Sequence, residues 1–335
     1  MNTSTLTWLL PSLLALFLYG IGQGLVKQWI SEIPPARYCL YFIFAKAAVN
    51  LGYFFTHPHP PLVTHESLNF ALTGFGAYLL DGIGWAFYFE AIVSGPIAII
   101  GTLSAAYPAL VVLLARIFLS EHLQLSQNIG VGLVIAGCIG LSWAPRDPTA
   151  KFDGNRWVMF SLLTVLFWGV DQTIVKYAYS MPGADDVNLT VFNTMGEAIA
   201  LGIYVLLKRR EGGHSIKEVK HSALPMCMLA GGDLGVLVAS KAGPISVVSP
   251  LTGAYPVVTL VYAATILKEA ITKSQWVCLI VIVIGVILCP GVDEKATDAN
   301  PAAPPAHDSR YPAKPLESTA RLYTTRDLIP EAKWN

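Results

Sequence analysis

Long stretches of this chain consist mainly of apolar residues, and polar residues gather in the short breaks between them. Each stretch has about the length that a helix needs to cross a bilayer, roughly 20 residues at a rise of 1.5 Å per residue. The pattern therefore predicts ten membrane-spanning helices. The predicted spans are residues 7–27, 37–56, 70–92, 97–118, 128–144, 157–178, 189–207, 225–242, 245–267 and 275–290.

The second half of the chain repeats the first. At an offset of 148 residues, Gly-Pro, Tyr-Pro and Glu positions recur between the stretches 94–140 and 242–288. At an offset of 149, the first predicted span matches the sixth: Gly20 with Gly169, Gln23 with Gln172, and Lys27 with Lys176. Five spans per half is an odd number, so the two halves enter the membrane in opposite senses. The sequence thus predicts an all-α membrane protein built from two inverted five-helix repeats.

The predicted repeats cover residues 1–144 and 157–290, and a linker at 145–156 joins them. Proline, alanine and charged residues dominate the stretch 291–335, which is a composition typical of a disordered tail.

Composition narrows the functional classes. The chain is 54% hydrophobic and 13% charged, whereas a soluble domain is about 25% charged. A formal net charge of zero, without a basic aromatic surface, argues against a nucleic-acid partner. The five cysteines form no CxxC pair, and "HPHPP" lacks a zinc-site spacing. We therefore expect no metal and no cofactor. The expected partners are the lipid bilayer and a small-molecule substrate, for a chain that is a monomer or a homodimer.

Two motifs carry a family resemblance. The segment "FYFEAIVSGPIAIIGTLSAAYPALVVLLARIFLSEHL", with the Gly-rich helix after it, and "FWGVDQTIVK" in the second half resemble the EamA-like family of the drug/metabolite transporter superfamily. The resemblance covers about residues 5–290. It implies ten helices, a central cavity and alternating access. It does not imply a substrate, because members of that superfamily carry many kinds of metabolite.

Aromatic and amide side chains mark a candidate cavity wall. Tyr19 and Gln23 share one helix face, and Trp168 and Gln172 stand at the matching positions of the sixth span. One hypothesis is that these residues bind substrate together with Trp85, Tyr107 and Tyr255. The alternative is that they only pack the core. One turn or more beyond them, Lys27 and Lys176 end their spans, where lysine side chains are expected to snorkel to the interface.

Ionisable residues close to the span centres are the second candidate feature. These are Lys46, Asp81, Asp171, Glu197 and Asp233. A charge at that depth costs about 2.5–3.5 kcal/mol on insertion scales, so each group should be paired, protonated or facing water. They are candidates for proton coupling or for binding a cation. The alternative is one pair between Lys46 and an acid, with neutral acids that only join helices.

Two interior prolines predict kinks. Pro108 and Pro256 have no N–H to donate to the carbonyls of Ser104 and Thr252, one turn earlier. Membrane helices tolerate such breaks where protein or cavity water satisfies the freed groups. We expect a kink beside a substrate path, with a purely structural bend as the alternative.

The sequence favours a secondary transporter that moves a small polar metabolite by alternating access. Acids outnumber bases at mid-depth, which favours an amino acid or another amine-bearing solute over a polyphosphate or nucleotide sugar. No ATP-binding or hydrolase motif is present, so we predict that the protein is not an enzyme. The alternative is a polytopic membrane enzyme that acts on a lipid-linked substrate.

The expected location is the cell (inner) membrane, with multiple passes. Lys and Arg gather beside the odd-numbered loops, for example at residues 208–210, and the positive-inside rule then puts both termini outside. The family resemblance implies cytoplasmic termini instead, and we adopt that orientation.

Overall fold

The structure, a computed structural model, describes residues 3–29, 33–94, 97–142, 156–208, 216–268 and 272–289. Within these ranges it contains twelve α-helices and no β-strand. The helices are α1 (Thr3–Trp29), α2 (Pro35–Thr56), α3 (Leu68–Ser94), α4 (Ile97–Ser104), α5 (Tyr107–Phe118), α6 (Leu125–Ser142), α7 (Arg156–Ala178), α8 (Asp186–Leu207), α9 (Ile216–Ala242), α10 (Ile245–Gly253), α11 (Tyr255–Thr265) and α12 (Lys273–Leu288).

Half of these helices are by themselves long and apolar enough to cross a bilayer. Seven stretches meet both requirements, with the interrupted α10–α11 pair counted as one stretch, Ile245–Thr265. Three shorter apolar segments accompany them, at Tyr107–Phe118, Leu125–Leu141 and Lys273–Leu288. The chain is therefore a multi-pass membrane protein. The count of ten spans stays a prediction.

Local sequence explains where several helices begin. Pro35 stands at the start of α2, where a missing N–H costs nothing. The Asp185 side chain accepts a hydrogen bond from the Asn188 amide and so caps α8. Thr272 and Gln275 form a reciprocal capping box at α12.

The largest difference from the predicted spans is at α9, which begins at Ile216 rather than at 225. Hydropathy marks where an apolar run begins, whereas the first two turns of α9 are polar. Glu218 in these turns forms an ion pair with Arg37 of α2 at 3.0 Å, which holds the polar extension against the bundle. The linker predicted at 145–156 lies outside the described residues, apart from Arg156 at the start of α7, and so does the tail predicted at 291–335.

The predicted proline kinks are complete interruptions in the structure. Pro108 and Pro256 are the second residues of α5 and α11, where a proline can begin a helix. Only Ala105 and Ala106 separate α4 from α5, and only Ala254 separates α10 from α11. The Ala254 amide still donates to the carbonyls of Leu251 and Thr252. Each interruption therefore lies two or three residues before its proline.

Many of the helix contacts have the symmetry that the sequence repeat suggests. Helix α1 packs mainly against α9, and α7 packs mainly against α3. Likewise α1 contacts α10 and α11, whereas α7 contacts α4 and α5. Helices α2 and α8 pack against each other, and so do α6 and α12. Exchanging the two halves leaves this set of neighbours unchanged.

Repeated glycines allow the closest of these contacts. A Cβ on Gly20 of α1 would overlap the Cβ of Val258 on α11, and a Cβ on Gly169 of α7 would lie 2.7 Å from a methyl carbon of Leu110 on α5. Gly20 and Gly169 are repeat partners at offset 149, and Leu110 and Val258 are partners at offset 148. Both halves thus use the same small residue to bring their first helix against the interrupted one.

Lys176 differs from its predicted role. Rather than snorkelling to the interface, its ammonium group donates to the carbonyls of Ser240 and Gly243, at 2.8 and 2.7 Å, where α9 ends. On the other side of this corner, the Glu121 carboxylate accepts hydrogen bonds from the amides of Ile245 and Ser246, at 3.0 and 2.9 Å, where α10 begins. A cation at a helix C-terminus and an anion at a helix N-terminus both complement the helix dipoles, so the pair fixes this corner. The Lys27 side chain lies outside the described part of the chain.

The glycine contacts make a first prediction. Replacing Gly20 or Gly169 with alanine should lower the melting temperature in detergent, because α11 or α5 must move outward, at a cost of about 1–3 kcal/mol. A methyl group added to Gly202 of α8 would meet no described atom within 4 Å, so Gly202→Ala is the matched control. Melting temperatures for Gly20→Ala and Gly169→Ala that equal that of Gly202→Ala would contradict this packing.

Candidate functional site

A small cavity lies among α1, α3, α5, α7, α9 and α11. Nine residues line it, and the seven that the sequence analysis assigned to substrate binding are all among them. The lining residues are Tyr19, Gln23, Asp81, Trp85, Tyr107, Trp168, Gln172, Asp233 and Tyr255. The cavity leaves about 30 Å³ for the centres of water-sized molecules, which is room for about two waters. In this conformation it is too small for an amino acid.

Aromatic rings make most of the wall. The ring centroid of Trp168 lies 4.8 Å from that of Trp85 and 5.7 Å from that of Tyr107, both in edge-on geometry. Tyr19 and Tyr255 meet at 5.9 Å. Tyr107 and Tyr255 each begin the helix that follows an interruption. The two interpretations of the aromatic residues are therefore compatible, because the same rings pack against one another and line the cavity.

A second cavity of similar size adjoins the first and shares Tyr19, Asp81, Gln172 and Asp233 with it. Asp171 lines this second cavity, together with Tyr78 and Asn193. Asp171 is only 4% exposed, and one of its carboxylate oxygens has no hydrogen-bond partner among the described residues. The same holds for the Gln172 side-chain oxygen and the Trp168 indole N–H. Unused donors and acceptors thus face space that a polar ligand could fill.

Lys46 lies beside the cavities among three carboxylates. Its ammonium forms a short ion pair with Glu197, lies 2.6 Å from Asp233 and lies 4.0 Å from Asp81. The lysine is 1% exposed, and it also donates to the side-chain oxygen of Asn193 at 3.2 Å. Oxygens of the three carboxylates lie within 4.8 Å of one another, a spacing that suits a cation. The Lys46 ammonium lies among these oxygens, which is why a charge buried at this depth can be tolerated.

The acids differ in how they face the cavities. Asp81 and Asp233 line both cavities, whereas Glu197 lines neither. Lys46 therefore bridges a carboxylate behind the wall to two carboxylates in the wall. The expectation of one pair between Lys46 and an acid was too narrow, because the lysine contacts two acids closely and approaches a third.

The ion cluster also joins the two halves of the chain. Lys46 is the twelfth residue of α2, and Glu197 is the twelfth residue of α8, helices that each have 22 residues. Because α2 and α8 pack against each other, opposite charges from the two halves meet near the middle of these helices.

Sequence reasoning missed a set of polar residues that support this cluster. Asn50 donates to the side-chain oxygen of Asn193 at 2.8 Å and to the Thr194 hydroxyl at 3.1 Å. Apart from the cluster, Tyr88 donates to the side-chain oxygen of Gln23, in the wall of the first cavity, at 2.6 Å. An asparagine within a predicted span is itself a signal of an interhelical hydrogen bond, and it could have drawn attention to both Asn50 and Asn193.

Comparison with known proteins now identifies the chain. The family model described as "EamA-like transporter family" matches residues 6–143 and again residues 155–289. The chain belongs to the EamA-like transporter family. The resemblance read from the sequence is thereby confirmed, and the chain is a member of a family of membrane transporters. No curated protein matches the chain significantly.

Solved structures share the fold of this EamA-like chain. One, described as "Crystal structure of protein", has a TM-score of 0.65 and 17% sequence identity, and the match covers 86% of this chain and 98% of that one. At this identity the match shows the fold alone.

The contact between Tyr19 and Asp233 gives a second prediction. The Tyr19 hydroxyl donates a short hydrogen bond to the Asp233 oxygen that Lys46 does not contact. Tyr19→Phe should keep the ring contact with Tyr255 but lower the free energy of unfolding by about 1.5–3 kcal/mol, the usual contribution of a hydrogen bond to a charged group.

Denaturation in detergent measures this loss, and Tyr262→Phe is the matched control, since among the described residues the Tyr262 hydroxyl contacts only Gln28, at 3.4 Å and in an exposed position. Equal unfolding free energies for the two variants would show that the Tyr19 hydroxyl does not stabilise Asp233.

Proposed function

We propose that this EamA-like protein is a secondary, gradient-driven transporter of an amino acid or another small amine-bearing solute. The observation that carries the proposal is a buried cavity to which both halves contribute, with two acids and five aromatic rings in its wall. Carboxylates attract an ammonium group, and aromatic faces add about 0.5–2 kcal/mol of cation–π attraction.

The balance of buried charge supports this substrate class. Asp81, Asp171 and Asp233 line the two cavities, and Lys46, which is close to Asp233 and Asp81, is the only basic residue that forms an ion pair with any of the three among the described residues. A nucleotide sugar or polyphosphate would need several basic groups in the cavity wall. Proton coupling belongs to the same proposal. Carboxylates that are buried close together repel one another, and binding a proton or a cation relieves this repulsion.

Alternating access is the mechanism that we propose. Two inverted five-helix repeats, making ten spans, would expose the cavity first to one face and then to the other. The interrupted helices support this mechanism, since Tyr107 and Tyr255 line the cavity directly after the breaks. The cavity must also widen to admit a solute, because its present volume holds only about two waters. Movement of α5 and α11 at their interruptions would widen it.

We further propose the cell (inner) membrane as the location, with both termini in the cytoplasm. The family supports a membrane transporter, and the orientation follows the resemblance rather than the positive-inside count. No observation favours the alternative of a membrane enzyme acting on a lipid-linked substrate.

Transport by purified protein in liposomes tests the proposal. A panel of amino acids, amines, organic anions and nucleotide sugars is first screened by thermal stabilisation and then by flux. We expect an amine-bearing solute to be carried unchanged. Asp81→Asn and Asp233→Asn should each lower its initial flux about tenfold or more, the equivalent of one lost charged hydrogen bond.

The matched control is Glu66→Gln, which removes one acid from an exposed loop position and should leave the flux unchanged. Flux at the wild-type rate in both aspartate variants would show that these two acids have only a structural role. A response to anions alone would overturn the substrate class, and chemical conversion of the solute would favour the enzyme alternative.

A further inference from the structure

The acids in the cavity wall are unequally neutralised. Lys46 is close to Glu197 and to Asp233, but its ammonium nitrogen is 4.0 Å from the nearer Asp81 oxygen. Asp81 lines both cavities and is 8% exposed. If all three carboxylates are ionised, one lysine leaves two negative charges uncompensated. A second cation is therefore favoured on the cavity side of the cluster.

Two further acceptors face the same space. One oxygen of Asp171 and the side-chain oxygen of Gln172 are buried without hydrogen-bond partners among the described residues, and both residues line the second cavity. Buried acceptors without donors are costly, and a ligand that brings N–H groups would satisfy them. Together with Asp81, they form a set of acceptors suited to an ammonium group, which has three donors and no acceptor.

The space limits what can enter. Each cavity has about 30 Å³ for the centres of water-sized molecules, enough for a cationic head group but not for a whole solute. Tyr19 lines both cavities, and Trp85 and Trp168 line the first, so aromatic side chains border the same space as the acids.

Lys46 already provides a cation of the same chemistry. Its ammonium lies 2.6 Å from the Asp233 oxygen, and it is also held by Glu197, which lines neither cavity. A solute amine that reaches Asp233 must compete with this contact. When the Lys46 ammonium leaves Asp233, the ion pair with Glu197 can hold Lys46 behind the cavity wall.

We infer that Asp81 and Asp233 form a binding site for one monovalent ammonium group, and that Lys46 is a tethered competitor that holds Asp233 while the site has no ligand. This inference rests on the proposed function, because the ammonium group would belong to the transported solute. Lys46 thereby lowers the uncompensated negative charge that the empty transporter carries through its conformational cycle.

Opposite shifts in affinity test the inference. The probe is methylammonium, titrated into purified protein at constant ionic strength, with tryptophan fluorescence as the readout because Trp85 and Trp168 line the cavity. Lys46→Met removes the competitor and should lower the dissociation constant about tenfold or more. Glu197→Gln removes the group that holds Lys46 behind the wall, so the lysine should bind Asp81 and Asp233 more tightly and raise the dissociation constant about threefold or more.

Lys241→Met is the matched control. Lys241 forms an ion pair with Asp186 at 2.5 Å outside both cavities, so its loss should leave the dissociation constant within about twofold of the wild type. Separate arms replace methylammonium with sodium or with potassium. A response to sodium or potassium but none to methylammonium would overturn the assignment to an ammonium group.

Shifts in the same direction for both variants, or no shift in either, would overturn the role of Lys46. If the Lys46→Met variant does not fold, the Glu197→Gln variant alone tests the inference. This variant is expected to fold, because Lys46 keeps Asp233 as a partner in it. A dissociation constant for methylammonium equal to that of the wild type would then contradict the inference. The proposed function fails separately, if no solute of the transport panel is carried. Flux of an amine in wild-type protein, combined with affinities insensitive to Lys46 and Glu197, would remove this inference and leave the transporter proposal intact.

Discussion

The rest of the structure depends on how one buried lysine is neutralised. Lys46 is 1% exposed, in the middle of a membrane-spanning helix, where an unpaired charge would be expensive. Glu197 of α8, Asp233 of α9 and Asp81 of α3 surround it. These helices must therefore approach α2 closely. At the positions that surround Lys46 they must keep acidic side chains, although the packing around them is apolar. The same requirement puts two acids in a cavity wall and so connects stability with the candidate site.

Packing between the two halves explains why the cluster has this position. Lys46 and Glu197 each lie near the middle of their helices, α2 and α8, and the two helices pack against each other. Opposite charges can therefore pair at this contact, whereas like charges there would repel. At offsets of 148 and 149 residues, Lys46 corresponds to Thr194 and Met195 and not to Glu197, so the ion pair is not a repeated feature. The glycine contacts show the opposite case, since Gly20 and Gly169 keep the same role in each half.

Much of this architecture could be predicted from the sequence, for identifiable physical reasons. Hydropathy sets helix length, so most predicted spans overlap observed helices within a few residues. Helical periodicity put Tyr19 and Gln23 on one face, and the offset of 149 brought in Trp168 and Gln172, all of which line one cavity. Their role in binding a substrate stays a prediction.

The sequence could not show which residues of different helices contact one another. Depth alone identified Lys46 and the acids as unusual, but it could not say which acids the lysine contacts. The polar start of α9 was missed because hydropathy measures apolar runs, not helix ends. Lys176 was expected at the interface because no sequence signal shows that the carbonyls at the end of α9 lie within its reach.

The central claim is that Lys46 and its carboxylates form one energetic unit that joins the two halves. A double-mutant cycle between Lys46→Met and Glu197→Gln, followed by thermal or denaturant unfolding in detergent, tests it most directly. We predict that Lys46→Met alone is strongly destabilising, because it leaves buried carboxylates without a cation, and that adding Glu197→Gln recovers part of the loss, with a coupling energy of about 1–3 kcal/mol. Strictly additive effects of the two substitutions would contradict the account.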